Sequence, residues 1–224
     1  MHVHDALMSR HSCRRFLPNP VPDAALHRIL KAAGQAPSGH NTQPWKVYVV
    51  RGTTKDRLTD RALAASEGRT SMKASDPEFD YYPVEWFEPY LSRRRATGFG
   101  LYGALGIGRD DKQARTDQMN RNYRFFDAPV GLFITFSRRL SVGTFMDVGM
   151  FIQSILAGAR GEGLDTCGQV AWCDHHAMIR EELGIDADEL LACGMSLGYA
   201  DKDAPENVWH TDRAPVEEWV KFFD

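Results

Sequence analysis

The sequence predicts a single domain that combines α-helices with β-strands, and three observations lead to this expectation. The chain has 224 residues, a length that fits one domain. Residues 144–162 carry apolar side chains at helical spacing and give the clearest amphipathic pattern in the chain. Residues 45–50 and 130–137 are short apolar runs preceded by proline, which is typical of strands.

The other segments continue this pattern in chain order. A short helix is expected over residues 3–9, and the prolines at 18–22 then enforce extended chain. Asp23 is expected to cap a helix that ends near Gly34. The remaining predicted elements are helices at 53–66, 175–183 and 215–223, two helices separated by the glycines of 98–108 within 84–126, and strands at 164–172 and 190–199.

Composition excludes several classes of protein. Lys and Arg total 27 against 30 for Asp and Glu, which argues against a nucleic-acid binder and a polybasic membrane anchor. No apolar run reaches membrane-spanning length, and the N-terminus lacks the apolar core of a signal peptide. The spacing of Cys13, Cys167, Cys173 and Cys193 matches neither a zinc site nor a disulfide scaffold. A reduced, cytoplasmic enzyme without a metal is therefore expected.

A dense cluster of hydrogen-bond donors lies near the start of the chain. Arg10, His11, Ser12, Arg14 and Arg15 place three guanidinium groups, an imidazole and a hydroxyl within six positions, without an acidic residue. An anion rich in acceptors, such as a phosphate, would satisfy these groups. The alternative is a basic helix end that is simply solvated.

A second candidate site is the loop at residues 36–44, which leads directly into a predicted strand. Its polar side chains supply donors and acceptors, and Gly39 permits close approach of a ligand. An ordinary turn that caps the neighbouring helix explains the same composition. The sequence leaves both interpretations open.

Recognisable catalytic groups are scarce. Cys13 adjoins two arginines that would lower the pKa of its thiol, yet a small packing residue is the favoured interpretation. The chain has no GxSxG motif, and the glycines of 98–108 do not form GxGxxG between a strand and a helix. A protein of this kind is expected to take its chemistry from a cofactor.

Two segments are expected to extend from the core. Residues 69–126 form an aromatic-rich helical excursion that we interpret as a lid, with plain helix packing as the alternative for each aromatic residue. The tail at 201–224 ends in aromatic side chains that need burial, and a partner subunit would provide it. The candidate substrate or lid residues are His40, Trp86, Tyr90, Tyr102, Tyr123 and Phe125.

Five motifs in this order give the chain a family resemblance: RHSCRRF, APSGHNTQPWKVYVV, GLDTCGQVAW, LLACGMSLGYAD and TDRAP. The whole chain resembles the FMN-dependent nitroreductase superfamily. RNYRFFDAPVGLF and MDVGMFIQ are similar to its nitroaromatic and nitrobenzoate reductase branch. The resemblance implies an α+β fold over residues 1–224, with a central mixed sheet wrapped by helices. It also implies an intertwined homodimer in which the C-terminal tails are exchanged.

The resemblance assigns cofactor contacts to four parts of the chain. The ribityl phosphate would lie against Arg10, His11, Ser12 and Arg213. Arg14 would lie near flavin N1, where its positive charge would raise the reduction potential of the flavin. Pro37, Ser38 and Gly39 would come from the other subunit. Backbone donors of Gly168, Gln169 and Val170 would approach N5 and O4 of the flavin. The implied FMN-binding residues are Arg10, His11, Ser12, Cys13 (through its backbone), Arg14, Pro37, Ser38, Gly39, Asn41, Gln43, Gly168, Gln169, Val170 and Arg213.

The implied activity is a ping-pong reduction in which NADH or NADPH passes a hydride to FMN and a nitroaromatic compound then accepts electrons. The flavin would carry the chemistry without a dedicated catalytic side chain. Three alternatives remain open. They are a reductive dehalogenase or another flavin reaction of the same superfamily, a flavin-binding protein without turnover, and a phosphate-ester-binding module without a cofactor.

Overall fold

A four-stranded sheet forms the centre of the protein in the computed structural model, which describes residues 1–67 and 77–224. The strands are β1 (Lys46–Val50), β2 (Val130–Ser137), β3 (Asp165–Gln169) and β4 (Glu189–Gly198). Their order is β1-β2-β4-β3, and each neighbouring pair is antiparallel. The α+β class expected from the sequence is confirmed.

The expected mixed sheet is not found within the described residues. Strands β2 and β3 run in the same direction, but β4 lies between them and pairs with both in antiparallel fashion. The parallel pairing that is present is a single bridge between Ser12 and Thr166. A parallel ladder therefore does not form, although two strands are oriented for one.

Eight α-helices lie among the described residues, and most of the predicted ones are confirmed. They are α1 (Val3–Ser9), α2 (Asp23–Ala33), α3 (Gly52–Ser66), α4 (Tyr90–Ala104), α5 (Lys112–Asn120), α6 (Thr144–Gly161), α7 (His176–Leu183) and α8 (Pro205–Val208). Helix α7 ends at Gly184, whose φ of 64° suits glycine.

Three local predictions were wrong. Pro22, not Asp23, is the N-cap of α2, and the Asp23 carboxylate pairs with Arg51 from the first turn of the helix. The first three glycines of the 98–108 run lie inside α4 instead of separating two helices. The helix predicted at 215–223 is replaced by a short 3-10 turn at Val216–Glu218. The part of the predicted excursion at 69–76 lies outside the described residues.

The core has two halves, one on each face of the sheet. Leu132, Ile134 and Phe136 of β2 face one half with α2 and α6, whereas Phe133 faces the other half with Trp172. Because β2 is covered on both faces, its sequence is continuously apolar instead of alternating.

Gly194 on β4 is required by this packing. A Cβ atom at position 194 would lie 2.6 Å from Cδ1 and 2.9 Å from Cβ of Trp172. We expect Gly194→Ala to lower the free energy of unfolding by about 1–3 kcal/mol, because the indole cannot move within a closed core. The control is Gly98→Ala in α4, where a Cβ meets nothing within 4 Å. We expect that control to raise stability by about 0.5–1 kcal/mol. Urea unfolding compares the two, and equal effects would contradict the assigned packing.

Candidate functional site

The N-terminal segment that follows α1 runs in extended conformation beside the end of the sheet. Ser12 forms a parallel bridge with Thr166 of β3, and the Cys13 N–H donates to the Thr166 carbonyl at 3.0 Å. Phe16 forms an antiparallel bridge with Ala200, just beyond β4. These contacts fix the donor cluster found in the sequence against β3.

Arg10 and Arg213 come together from opposite ends of the chain. Burial lowers the pKa of the Arg10 guanidinium, and the positive charge of Arg213 is the second cause. The Arg213 guanidinium donates to the carbonyls of Thr211 at 3.1 Å and Asp212 at 2.9 Å. Neither arginine is among the side chains that pair with a carboxylate in residues 1–67 and 77–224. Two cations whose charges act on each other, and which form no ion pair within the described residues, favour the binding of an anion.

His11 adds an unsatisfied polar atom to this site. Its ring stacks on His210, with centroids 4.7 Å apart and planes inclined by 18°. Nδ1 lies 3.3 Å from the Ser9 carbonyl, and because a carbonyl only accepts, Nδ1 carries the proton. Nε2 is buried and has no hydrogen-bond partner among the described residues. Burial lowers the pKa of His11, and an anion beside Nε2 would raise that pKa again.

Cys13 is a packing residue, as the sequence favoured. Its side chain is fully buried, and its thiol donates to the Arg15 carbonyl at 3.2 Å. Burial raises the pKa of the thiol to about 12, so a reactive thiolate is excluded at neutral pH. The Cys13 N–H is used by the Thr166 carbonyl, and the whole residue is buried, so a contact between its backbone and a ligand stays a prediction.

The end of β3 places Gly168, Gln169 and Val170 beside the N-terminal segment. The Gln169 amide is buried, with Nε2 donating to the Asn122 carbonyl at 2.7 Å and Oε1 accepting from Ser196 at 2.5 Å. The Gln169 side chain thus anchors the strand end. A ligand can be contacted here only through the backbone or at the exposed Gly168.

The loop at 37–43 has a strained backbone. His40, Asn41 and Gln43 have φ values of 51°, 58° and 47°, in a region that non-glycine residues rarely adopt. The Ser38 hydroxyl accepts the Gln43 N–H at 2.9 Å and helps to hold this conformation. Clustered strain of this kind is typical of functional loops.

The polar contacts of this loop link it to α6. The Gly39 N–H lies 3.3 Å from both carboxylate oxygens of Asp147, in the first turn of that helix. Among the described residues, no hydrogen bond joins the loop to the donor cluster. The single chain thus joins the N-terminal segment to β3 at Thr166 and to the C-terminal segment at His210. It does not link them by hydrogen bonds to the described loop residues Pro37, Ser38, Gly39, Asn41 and Gln43.

Tyr123 and Phe125 are core residues, and their assignment to a lid was wrong. They are 3% and 0% exposed, and Phe125 stacks on Trp172 with centroids 4.5 Å apart. Phe125 and Phe126 both adopt positive φ, so the chain turns sharply there and directs both rings inward.

Three other lid candidates lie on the surface of the excursion. The Arg94 guanidinium lies over Trp86 at 4.9 Å, and that of Arg115 lies over Tyr102 at 5.2 Å. Tyr90 is half exposed. His40 is exposed as well, in the strained loop. Their positions agree with contact to a ligand from outside the core.

A cleft of about 770 Å³ lies between α4 and the C-terminal segment. Arg93, Thr97, Trp209, His210 and Trp219 line it together with the distal arginine of the donor cluster. Its size is in the range of small-molecule sites, and it combines aromatic surface with both arginines and carboxylates, of which Arg93 pairs with Glu218 at 3.1 Å. No group of metal-ligating side chains, and no helix of the length and apolar character needed to cross a membrane, is found in the described ranges.

The nitroreductase family model matches residues 7–199. The chain belongs to the nitroreductase family. It is 40% identical over 220 residues to the nitrobenzene nitroreductase of Ectopseudomonas oleovorans, covering 98% of this chain and 96% of that protein. It is 42% identical to the 4-nitrobenzoate reductase of Nocardioides sp. strain LMS-CY, covering 97% and 89% of the two chains.

A solved member of the nitroreductase family has the same fold over its whole length. It is the FMN and NADPH-dependent nitroreductase NfnB from Sphigopyxis sp. strain HMH. The TM-score is 0.94 at 39% identity, with 100% of both chains covered.

Sequence reasoning missed three residues at this site. They are Glu206, Asn207 and His210, in or just after α8. A helix of a single turn has no periodic pattern to mark it. The signal that was available is the Pro205 at its first position, followed by two polar residues.

Proposed function

We propose that this protein is an FMN-dependent NAD(P)H oxidoreductase of nitroreductase type that reduces nitroaromatic or similar small aromatic acceptors. Its relatives are named for nitrobenzene and 4-nitrobenzoate, and the solved NfnB is named for FMN and NADPH. The observation that carries the proposal is the buried, unpartnered Nε2 of His11, whose ring stacks on His210, between Arg10 on the N-terminal segment and Arg213 on the C-terminal segment.

The residues present fit the phosphate of FMN. Two guanidinium groups and the Ser12 hydroxyl offer donors to a dianion, and the His11 imidazole adds a donor once the bound anion causes Nε2 to be protonated. The buried Nε2 of His11 would gain a partner, and the repulsion between Arg10 and Arg213 would be relieved. Arg10, His11, Ser12 and Arg213 thus bind the phosphate end.

Arg14 serves the redox end of the site. Its Nη1 donates to the Ser12 carbonyl at 3.3 Å, which folds its side chain along the donor segment. FMN supplies the two-electron transfer between nicotinamide and acceptor, and a cation at the flavin favours the reduced form. The other proposed contacts are Gly168, Gln169, Val170 and Cys13 through backbone atoms, Asn41 and Gln43, and the partner's Pro37, Ser38 and Gly39.

A homodimer completes this site, with residues 201–224 as the tail that reaches the partner. In the single chain, Trp219, Phe222 and Phe223 are 67%, 88% and 89% exposed. Large apolar side chains exposed at this level favour burial against another surface. Because the 37–43 loop contacts α6 instead of its own donor cluster, a second chain would bring its Pro37, Ser38 and Gly39 to the site.

Small aromatic acceptors fit the open side of the site. His40, Trp86, Tyr90 and Tyr102 are the proposed substrate and lid residues, within one domain of residues 1–224. We place the enzyme in the cytoplasm, since Cys13, Cys167, Cys173 and Cys193 are all free and buried thiols.

The test begins with the purified protein. A yellow protein that releases FMN on denaturation is expected, and a colourless one that does not take up FMN contradicts the proposal. Anaerobic mixing with NADPH or NADH should bleach the flavin, and nitrobenzene should restore its colour. A flavin that stays oxidised with both donors identifies a binding protein without turnover. Turnover of a halophenol but not of nitrobenzene identifies a dehalogenase.

A further inference from the structure

The single-turn helix α8 is connected to the donor cluster through one buried side chain. Asn207 is 5% exposed. Its Oδ1 accepts the Arg14 N–H at 2.7 Å, and its Nδ2 donates to the carbonyls of Arg15 at 2.7 Å and Asp201 at 2.8 Å. Both donors and the acceptor of the amide are therefore used, and two of the three bonds fix the backbone on either side of the Arg14 side chain.

Asn207 also holds the C-terminal side of the site. Its carbonyl accepts a hydrogen bond from Nε2 of His210 at 3.1 Å. The same imidazole stacks on His11. One residue of α8 thus contacts the N-terminal segment with its side chain and the C-terminal segment with its backbone.

The preceding residue turns Arg15 away from the site. Glu206 is 1% exposed, and its carboxylate binds the guanidinium groups of Arg15 and Arg121. Adjacent side chains of extended backbone point to opposite sides. With Arg15 held by Glu206, the Arg14 side chain is directed to the opposite side.

We propose that Asn207 is a positioning residue for the cofactor site, and that its side chain acts through the backbone of Arg14 and Arg15. The inference rests on the proposed function, since it assumes that Arg14 meets the flavin. A general packing role is less consistent with the contacts, because the three amide bonds go to backbone groups and two of them flank a proposed cofactor ligand.

The first test measures FMN binding to the apoprotein by quenching of flavin fluorescence. We expect Asn207→Ala to weaken binding about 10-fold, which corresponds to the loss of one well-placed interaction. The midpoint potential of the bound FMN should fall as well, since the Arg14 charge is no longer held in place. The matched control is Val208→Ala on the same helix, whose side chain is 65% exposed. It should leave both values unchanged.

A double-mutant cycle separates positioning from an independent effect. If Asn207 acts largely through Arg14, adding Asn207→Ala to Arg14→Ala should weaken FMN binding by less than about 3-fold. If the two residues contribute independently, Asn207→Ala should weaken FMN binding by the same 10-fold in the Arg14→Ala variant as in wild type.

A second variant covers the case in which Asn207→Ala does not fold. In Asn207→Asp one oxygen can still accept from Arg14, but the other faces two carbonyls. Protonation of that carboxyl restores one donor. The FMN affinity of Asn207→Asp relative to wild type should therefore improve as the pH is lowered from 8 to about 5.

The outcomes distinguish this inference from the proposed function. Unchanged FMN binding in Arg14→Ala contradicts the placement of the cofactor. Weakened binding in Arg14→Ala together with wild-type affinity and potential in Asn207→Ala overturns the positioning role alone. The positioning role is also overturned if Asn207→Ala weakens FMN binding by the full 10-fold in the Arg14→Ala background. It is overturned as well if the FMN affinity of Asn207→Asp relative to wild type does not change with pH.

Discussion

Replacing Arg10 with alanine is expected to have opposite effects on FMN binding and on the stability of the apoprotein. Loss of one charge-assisted hydrogen bond to the phosphate should weaken FMN binding about 10- to 100-fold. The apoprotein should unfold at the same temperature as wild type or at a higher one. In the apoprotein Arg10 is half-buried beside the charge of Arg213, and both burial and that charge lower its pKa. Removing the guanidinium relieves an unfavourable interaction, as is common where a site is built for a ligand.

The measurement combines FMN titration with thermal unfolding of apoprotein and holoprotein. Arg213→Ala should weaken FMN binding in the same direction, and it tests the other member of the pair. Arg57→Ala is the matched control, because Arg57 is an exposed arginine paired with Glu182 on the outside of α3. It should leave FMN affinity unchanged. Unchanged FMN affinity in Arg10→Ala, or a large loss of apoprotein stability, would show that Arg10 has a structural role instead.

The fold was largely predictable because its main elements carry strong local patterns. Residues 144–162 repeat apolar side chains at helical spacing, and α6 spans Thr144–Gly161. Strand β2 was evident from a continuous apolar run, which its burial on both faces explains. Local sequence patterns did not show that the sheet is antiparallel and not mixed. Whether β4 separates β2 from β3 depends on long-range pairing, which local sequence does not encode.

The site was predictable where its residues are adjacent in sequence. The donor cluster at 10–14 is compact, and Arg213 was linked to it by family resemblance, not by any pattern in the residues. Arg15 belonged to the same cluster by sequence, yet Glu206 draws it away. That pairing spans nearly the whole chain, so no local argument reveals it.

Two aromatic residues that were assigned to the lid lie in the core instead. Tyr123 and Phe125 were lid candidates because they belong to the aromatic-rich segment at 69–126, with helix packing as the alternative. The turn at Phe125 and Phe126, with φ of 51° and 53°, brings them into the core around Trp172. Composition alone cannot predict such a turn, because non-glycine residues with positive φ are rare.

Glu78 holds the segment that leads into α4, and breaking this contact should have the largest effect on stability. Its carboxylate is 4% exposed and pairs with Arg138 and Arg180, the latter at 2.7 Å. It also accepts the Leu191 N–H of β4 at 3.1 Å. We expect Glu78→Gln to lower the free energy of unfolding by about 2–3 kcal/mol. This is near the low end for a buried ion pair, because Arg138 is 38% exposed.

The pH dependence gives this prediction a distinct signature. Burial raises the pKa of Glu78, but the hydrogen bonds from Arg138, Arg180 and Leu191 lower it by more, so its pKa lies below the ordinary 4.5. A carboxyl whose pKa is depressed in the folded state stabilises the protein above its unfolded pKa and loses that contribution as the pH falls through the folded value. Wild type should therefore lose stability below about pH 4.5 more steeply than Glu78→Gln does.

Urea unfolding at a fixed protein concentration, at pH 7 and at several values below 4.5, measures both effects. The control is Glu85→Gln, an exposed carboxylate on the same segment, which should change neither the stability nor its pH dependence. Parallel pH profiles for wild type and Glu78→Gln would contradict the role of the carboxylate. If Glu78→Gln and Glu85→Gln have the same free energy of unfolding at pH 7, Arg138 and Arg180 do not hold this segment. The expected outcome is that ion pairs with Arg138 and Arg180 and a hydrogen bond from β4 hold Glu78, and thereby fix the start of the segment that carries the proposed lid residues.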